Sequence, residues 1–338
     1  MKLVSYLLDG HDQLAILIDG HLYNTDKLNP ELPSSMMMFL NYWDDYLPIA
    51  LSCEESIKQG RIYSTTGLPI GAAELLAPIP YPPSCRDAYA FRQHVESARR
   101  NRGAQMISEF DQYPVFYFTN HHGIQGPGDV ICMPDHFEQL DFELEAAIVI
   151  SKHGRNIPAS MADQYIAGLM IMNDFSARRL QMEEMLLNLG PAKGKDFATA
   201  IGPCLVTLDE LEQFEVPCKE GHEGKTWSLP MTCRVNGEMV SSGNLRDMDW
   251  TFAEIIERAS YGVNLLPGDI IGSGTVGTGC FLELNGTAKL KDPSSVPVWL
   301  NENDTVELEI ENLGKLTNRI IREESDMSLL ARKKRTNL

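Results

Sequence analysis

Asp141-Phe142-Glu143-Leu144-Glu145-Ala146-Ala147-Ile148-Val149-Ile150 carries two carboxylates straight into an apolar run. Strand alternation places Glu143 and Glu145 on one face and Phe142, Leu144 and Ala146 on the other. The continuation Ala146 to Ile150 is apolar on both faces, the pattern of a strand covered on both sides. Two anions at the mouth of such a strand are costly unless a counter-charge meets them. A half-buried strand with its acids in solvent would fit this segment equally well.

A second segment, GLMIMNDFSARRLQ over 168 to 181, is another apolar strand ending on Asn173-Asp174, with a helix beginning near Ser176. Asp174 is placed either for chemistry at the strand end or as a helix cap. Glu143, Glu145 and Asp174 together are hard oxygen donors, suited to Mg²⁺ or Ca²⁺ and unsuited to thiophilic metals.

Working outward, strand-like runs dominate from residue 114 on: PVFYFTN, DVICM, GPCLVTL, MTCRVNG, DIIGSGT, CFLELNG and TVELEIENLG. Helices interrupt with conviction at 177 to 189 and 251 to 259, and a polar-faced helix is expected over 86 to 101. Strands with segregated helices predict an α+β, mostly β fold. Upstream, two apolar runs broken by DGHD and DGH predict a β-hairpin unit, followed by a helix over 35 to 60 with a possible break at Pro48. The proline-dense LAPIPYPPSC suggests a boundary near residue 75. The expected organisation is a small N-terminal domain (1–75), a catalytic domain (76–325) and a basic C-terminal tail (326–338).

The 338 residues include 29 basic and 47 acidic side chains, a formal charge of −18. Such a surface repels nucleic acids and anionic lipids. The one basic run, Arg332-Lys333-Lys334-Arg335, reads as a solvated tail. No apolar stretch approaches the roughly 18 residues of a membrane span. Asp9-Gly10-His11-Asp12 cuts short the only signal-like segment, so a cytoplasmic protein is expected. Seven cysteines without CxxC spacing support neither a disulfide frame nor a zinc site.

DFELE, NDFSARRLQ, GKDFAT and GSGTVGTGCFLELNG, taken in order over 84 to 323, resemble the fumarylacetoacetate hydrolase family. The resemblance implies a mixed β-roll core, a homodimer, and Mg²⁺ or Ca²⁺ (Mn²⁺ being a third option) held by Glu143, Glu145 and Asp174. The run Asp87 to His94 is similar to the fumarylacetoacetase segment that supplies a fourth metal ligand, Asp87, a substrate-contacting tyrosine, Tyr89, and the catalytic His94. Glu283 falls at the acid partner of that histidine. By the same resemblance Lys195 and Gln181 serve the oxyanion, Lys195 and Thr199 the metal shell, and Tyr117 and Thr275 the substrate pocket. The arginine that reads the substrate carboxylate is taken as Arg102, with Arg99 and Arg100 as neighbours.

Met185, Asp196 and Arg179 depart from the fumarylacetoacetase pattern. The activity implied is hydrolysis of a carbon–carbon bond in a 3,5-diketo acid, fumarylacetoacetate or a related acylpyruvate. The alternative is decarboxylation, isomerisation or dehydration of a 2-keto acid at the same metal site. An inactive metal-binding dimer is a third possibility, of a different class.

Overall fold

The computed structural model describes residues 1–61 and 67–334. At its centre is the strand Leu144–Ile150, buried at all seven positions. It runs antiparallel to Ile166–Asp174 on one side, pairing Glu145 with Met172, and to Ile270–Gly272 on the other, pairing Ala147 with Gly272. Alternation along it divides the interior in two. Leu144, Ala146, Ile148 and Ile150 join the larger core, whereas Ala147 and Val149 join a second core with Phe39, Leu40 and Trp43 of the N-terminal helices. Each large aliphatic side chain so buried contributes about 1.5–3 kcal/mol.

From this centre one twelve-stranded sheet extends both ways. Thr199–Thr207 follows Ile166–Asp174 and sets Thr199 opposite Asp174. Lys2–Leu8 pairs with Thr199–Thr207 in turn, followed by His11–Ile18, His21–Asn24 and Leu68–Pro69. On the other edge Cys85–Ala88 pairs in parallel with Ile270–Gly272, and Phe116–Thr119 closes that end. The hairpin expected at the N-terminus is thus present, and its sheet crosses the boundary expected near residue 75. A five-stranded sheet packs alongside, ordered Glu238–Asn244, Pro230–Val235, Thr305–Ile310, Gly314–Arg322, Gly128–Cys132. The architecture is α+β and dominated by strands.

Four expectations about elements change. Residues 86 to 101 are not one helix: Cys85–Ala88 is a strand and the helix is Arg92–Arg100. Pairing of Asp87 with both Gly272 and Tyr117 overrides the helical pattern there. CFLELNG is not a strand but the start of the helix Phe281–Lys291. The Asp141 carboxylate explains it, since it accepts the otherwise unpaired N–H groups of Phe281 at 2.7 Å and Leu282 at 2.9 Å.

The helix over 35 to 60 breaks at Tyr42, giving Met36–Asn41 and Trp43–Lys58, while Pro48 lies inside the second helix. The helix expected over 177 to 189 is shorter, Arg178–Met185, and leaves Leu186, Leu187 and Leu189 exposed. That over 251 to 259 forms as Phe252–Ser260, capped by Thr251 and Glu254.

The C-terminal tail is tied down near its start, where Asp135 accepts from Ser328 Oγ and from the N–H groups of Leu329 and Leu330. In the basic run Lys333 pairs with Glu183, and Arg335 lies outside the described residues. No helix among the described residues is long and apolar enough to cross a membrane.

Candidate active site

Three strands deliver four carboxylates to one point. Asp87 comes from Cys85–Ala88, Glu145 from Leu144–Ile150 with Glu143 just ahead of it, and Asp174 from the end of Ile166–Asp174. Each offers an oxygen within 4.8 Å of the others, and all four are buried. The approach is close enough to dictate backbone chemistry: a Cβ on Gly272 would lie 2.5 Å from Asp87 Oδ1 and 2.8 Å from Met172 Sδ. Asp87 Oδ1 also accepts the Gly274 N–H at 3.0 Å.

Two cations partly offset this charge. Lys195 Nζ donates to Asp174 at 2.6 Å and to Glu143. Arg178 donates to Glu143 at 2.7 Å, to Asp141 at 2.8 Å and to Gln181 Oε1 at 3.0 Å. The Tyr117 hydroxyl donates to Asp174, and Thr275 Oγ1 to Glu145 at 3.3 Å.

The offset is uneven. Although burial opposes ionisation, Lys195 and then Arg178 hold Glu143 down to about 2. Burial and the neighbouring Asp174 push Asp87 up to about 8. Glu145 is pushed well up by burial and then by Asp87, Glu143 and Asp174. Glu145 Oε2 and Asp174 Oδ1 are buried with no hydrogen-bond partner among the described residues. Orphaned carboxylate oxygens in an all-oxygen cluster are what a hard divalent cation satisfies, so the donor set fits a metal.

Beside the cluster stands a buried acid–imidazole pair. His94, on the helix Arg92–Arg100, places Nδ1 2.8 Å from Glu283 Oε2. Glu283 lies in the first turn of Phe281–Lys291, and its Oε2 also accepts the Thr278 N–H at 3.0 Å. With a carboxylate on Nδ1, that nitrogen carries the proton and the other is left free as a base. A ring nitrogen of His94 lies within 4.8 Å of a Glu143 oxygen, and the Tyr89 ring meets the imidazole edge-on at 5.8 Å.

These groups line one end of a cavity of about 610 Å³. Asp87, Tyr89, His94, Arg102, Tyr117, Glu143, Gln181, Lys195 and Thr275 all reach its wall. Glu145 and Asp174 lie behind it, Glu283 behind His94, and Thr199 is placed beside Asp174 by strand pairing alone. Of the three candidate carboxylate-reading arginines, Arg99 and Arg102 line the cavity, as Arg178 also does, while Arg100 bonds Ser97 at 3.3 Å. Met185 is at the wall; Asp196 pairs with Lys193, and Arg179 with Glu183.

Two buried residues escape the sequence reading. Asp141 caps the helix that carries Glu283, and Arg178 ties Asp141 to Glu143. The signal was present, since Asp141 opens the DFELE segment and Arg178 stands beside the departing Arg179.

A carboxylate cluster fit for a hard cation, an acid–imidazole pair and a cavity they share make a candidate enzyme site. The chain belongs to the fumarylacetoacetate hydrolase family: the profile of the fumarylacetoacetate (FAA) hydrolase C-terminal domain matches residues 84–321. It is 30% identical over 333 residues to oxaloacetate tautomerase Fahd2a, mitochondrial, of Rattus norvegicus, covering 95% of this chain and 92% of that one. The fold is shared with the fumarylacetoacetate hydrolase of Exiguobacterium antarcticum (TM-score 0.66, 24% identity, 96% of this chain and 100% of that one). It is also shared with the maleylpyruvate hydrolase of a Sphingobium species solved with manganese(II) and pyruvate (TM-score 0.68, 19% identity, the same coverage).

Proposed function

We propose that the protein hydrolyses a carbon–carbon bond in a 3,5-diketo acid, fumarylacetoacetate or a related acylpyruvate, yielding two smaller acids. The observation that carries this reading is the buried His94–Glu283 pair at 2.8 Å beside the carboxylate cluster. Asp87, Glu143, Glu145 and Asp174 would hold Mg²⁺, Mn²⁺ or Ca²⁺, with Lys195 and Thr199 in the surrounding shell. When bound, the cation supplies Lewis-acid stabilisation of the enolate that leaves.

His94 takes a proton from water, and the resulting hydroxide adds to the ketone carbon. Glu283 holds the imidazole tautomer and stabilises the imidazolium. Gln181 and Lys195 donate to the oxyanion, where charge appears only in the transition state. Collapse breaks the carbon–carbon bond, and the imidazolium returns its proton to the departing carbon. Tyr89, Tyr117, Thr275 and Arg102 position the substrate.

A second reading, tautomerisation of a 2-keto acid such as oxaloacetate, is favoured by the activity for which the rat relative is named. It needs proton transfer but no water attack. A panel of fumarylacetoacetate, simple acylpyruvates, oxaloacetate and a 2-keto-3-deoxy sugar acid, run on Mg²⁺-loaded enzyme, separates the two. His94→Ala and Glu283→Gln should each lower diketo-acid hydrolysis by about 10²–10⁴-fold, with the double variant no worse than the worse single one. Near wild-type hydrolysis in both variants, or turnover of oxaloacetate alone, would overturn the hydrolytic reading. The same proposal includes a homodimer, following the family resemblance; gel filtration at micromolar concentration should give twice the 37.8 kDa chain mass.

A further inference from the structure

Cys280 has no part in that chemistry, yet its sulfur lies at the site. One ligand atom each from His94, Glu143 and Cys280 fall within 4.8 Å of one another, and all three residues are buried. Cys280 immediately precedes the helix that carries Glu283, so the thiol and the acid partner of His94 are set by one element. The donor set differs in kind from its neighbour. Four carboxylates suit a hard cation, whereas nitrogen, sulfur and one carboxylate oxygen suit Zn²⁺ and similar borderline ions.

The distances are close to what such an ion requires. Tetrahedral bonds of about 2.0–2.3 Å imply ligand–ligand separations of roughly 3.3–3.8 Å, so from separations of no more than 4.8 Å a contraction of at most about 1–1.5 Å would complete the set. The Nδ1 of His94 is already held by the Glu283 carboxylate at 2.8 Å. Ligating histidines are ordinarily oriented in this way by a carboxylate on the other nitrogen. His94 and Glu143 both line the cavity, which gives the ion an entry path and leaves room for a water as fourth ligand.

We propose that His94, Glu143 and Cys280 form a second cation site, for a thiophilic divalent ion such as Zn²⁺, whose occupation withdraws the base at His94. On binding, the Cys280 sulfur exchanges its proton for the metal and the proton leaves to solvent. The imidazole lone pair is then engaged, so no water can be activated. Because Glu143 belongs to both groups, the soft ion also competes with the hard one for that carboxylate.

The test is to titrate Mg²⁺-loaded enzyme with Co²⁺ or Cd²⁺, reading the thiolate-to-metal charge-transfer absorption, and to measure Zn²⁺ inhibition in parallel. Cys280→Ser and Cys280→Ala are compared with Cys85→Ser, a control because Cys85 lies on the strand of Asp87. Each variant is first checked for Mg²⁺-dependent melting. The band should grow to one equivalent in wild type and in Cys85→Ser and be lost in both Cys280 variants. The half-inhibiting Zn²⁺ concentration, relative to each protein's own rate, should rise at least about tenfold in those two.

A band that persists without Cys280, or no band in wild type, would overturn the site. The inhibition arm rests on the proposed role of His94, and the absorption arm does not. A Cys280-dependent band without inhibition would therefore confirm the site and count against His94 as the base.

Discussion

His136 gives the molecule a pH response separate from its active-site carboxylates. Its Nδ1 accepts the Met133 N–H at 3.2 Å and its ring packs on Phe197 at 4.1 Å, so the neutral ring is the one the fold accommodates. Burial, with Lys193 adding to it, lowers its protonation to about 4. The unfolded chain takes up that proton near pH 6.5, and the folded chain only near 4. Unfolding is therefore favoured progressively as pH falls between those values, by about 3 kcal/mol at most. Melting temperatures measured from pH 7 to 4 should fall less steeply in His136→Asn, whose amide oxygen can accept the same N–H without titrating. Parallel curves would show that His136 does not carry the effect.

Among elements, the helix Phe281–Lys291 depends on a residue far away in sequence. Asp141 satisfies two of its N-terminal N–H groups and is itself held by Arg178. Arg178→Met would strip the charge partner from buried Asp141 and one of the two from Glu143, which keeps Lys195, and should cost about 3–5 kcal/mol in denaturant unfolding. Asp141→Asn keeps the shape but weakens the cap. It should cost less stability while misplacing Glu283, and so lower turnover more than melting temperature.

The same pair shows what the sequence could and could not reveal. Glu143, Glu145 and Asp174 were legible because strand alternation and a strand end fix them locally. Asp141 and Arg178 were not, since their roles exist only when residues 37 apart, and in turn 140 apart, meet. Likewise the strand at Asp87 is made by pairing with Gly272 and Tyr117, which no local pattern announces. Residues 281 to 285 alternate like a strand until an acid from elsewhere caps them.

For the molecule as a whole, four buried carboxylates and two orphaned oxygens predict a stability that depends on an ion. Exhaustive chelation should abolish activity and lower the melting temperature, with Mg²⁺, Mn²⁺ or Ca²⁺ restoring both. An unchanged melting curve, with no metal by elemental analysis, would remove the ion from the account. Glu145→Ala should behave like the stripped protein, since its carboxylate sits on a strand with no freedom to rearrange.

The strand Leu144–Ile150 sends alternate side chains into two different interiors, one of them closed by the N-terminal helices. The two interiors should therefore melt together, since four residues of that strand lie in one and two in the other. The first quarter of the chain is thus welded to the chemistry by a shared spine rather than tethered to it. Grafting those residues onto another protein, or exchanging them for a relative's, should disturb Glu145, which shares its face of the strand with Ala147 and Val149. Substitutions in this part of the molecule should consequently be tolerated at its outer turns, and on its inner faces only in step with changes in the rest of the sheet.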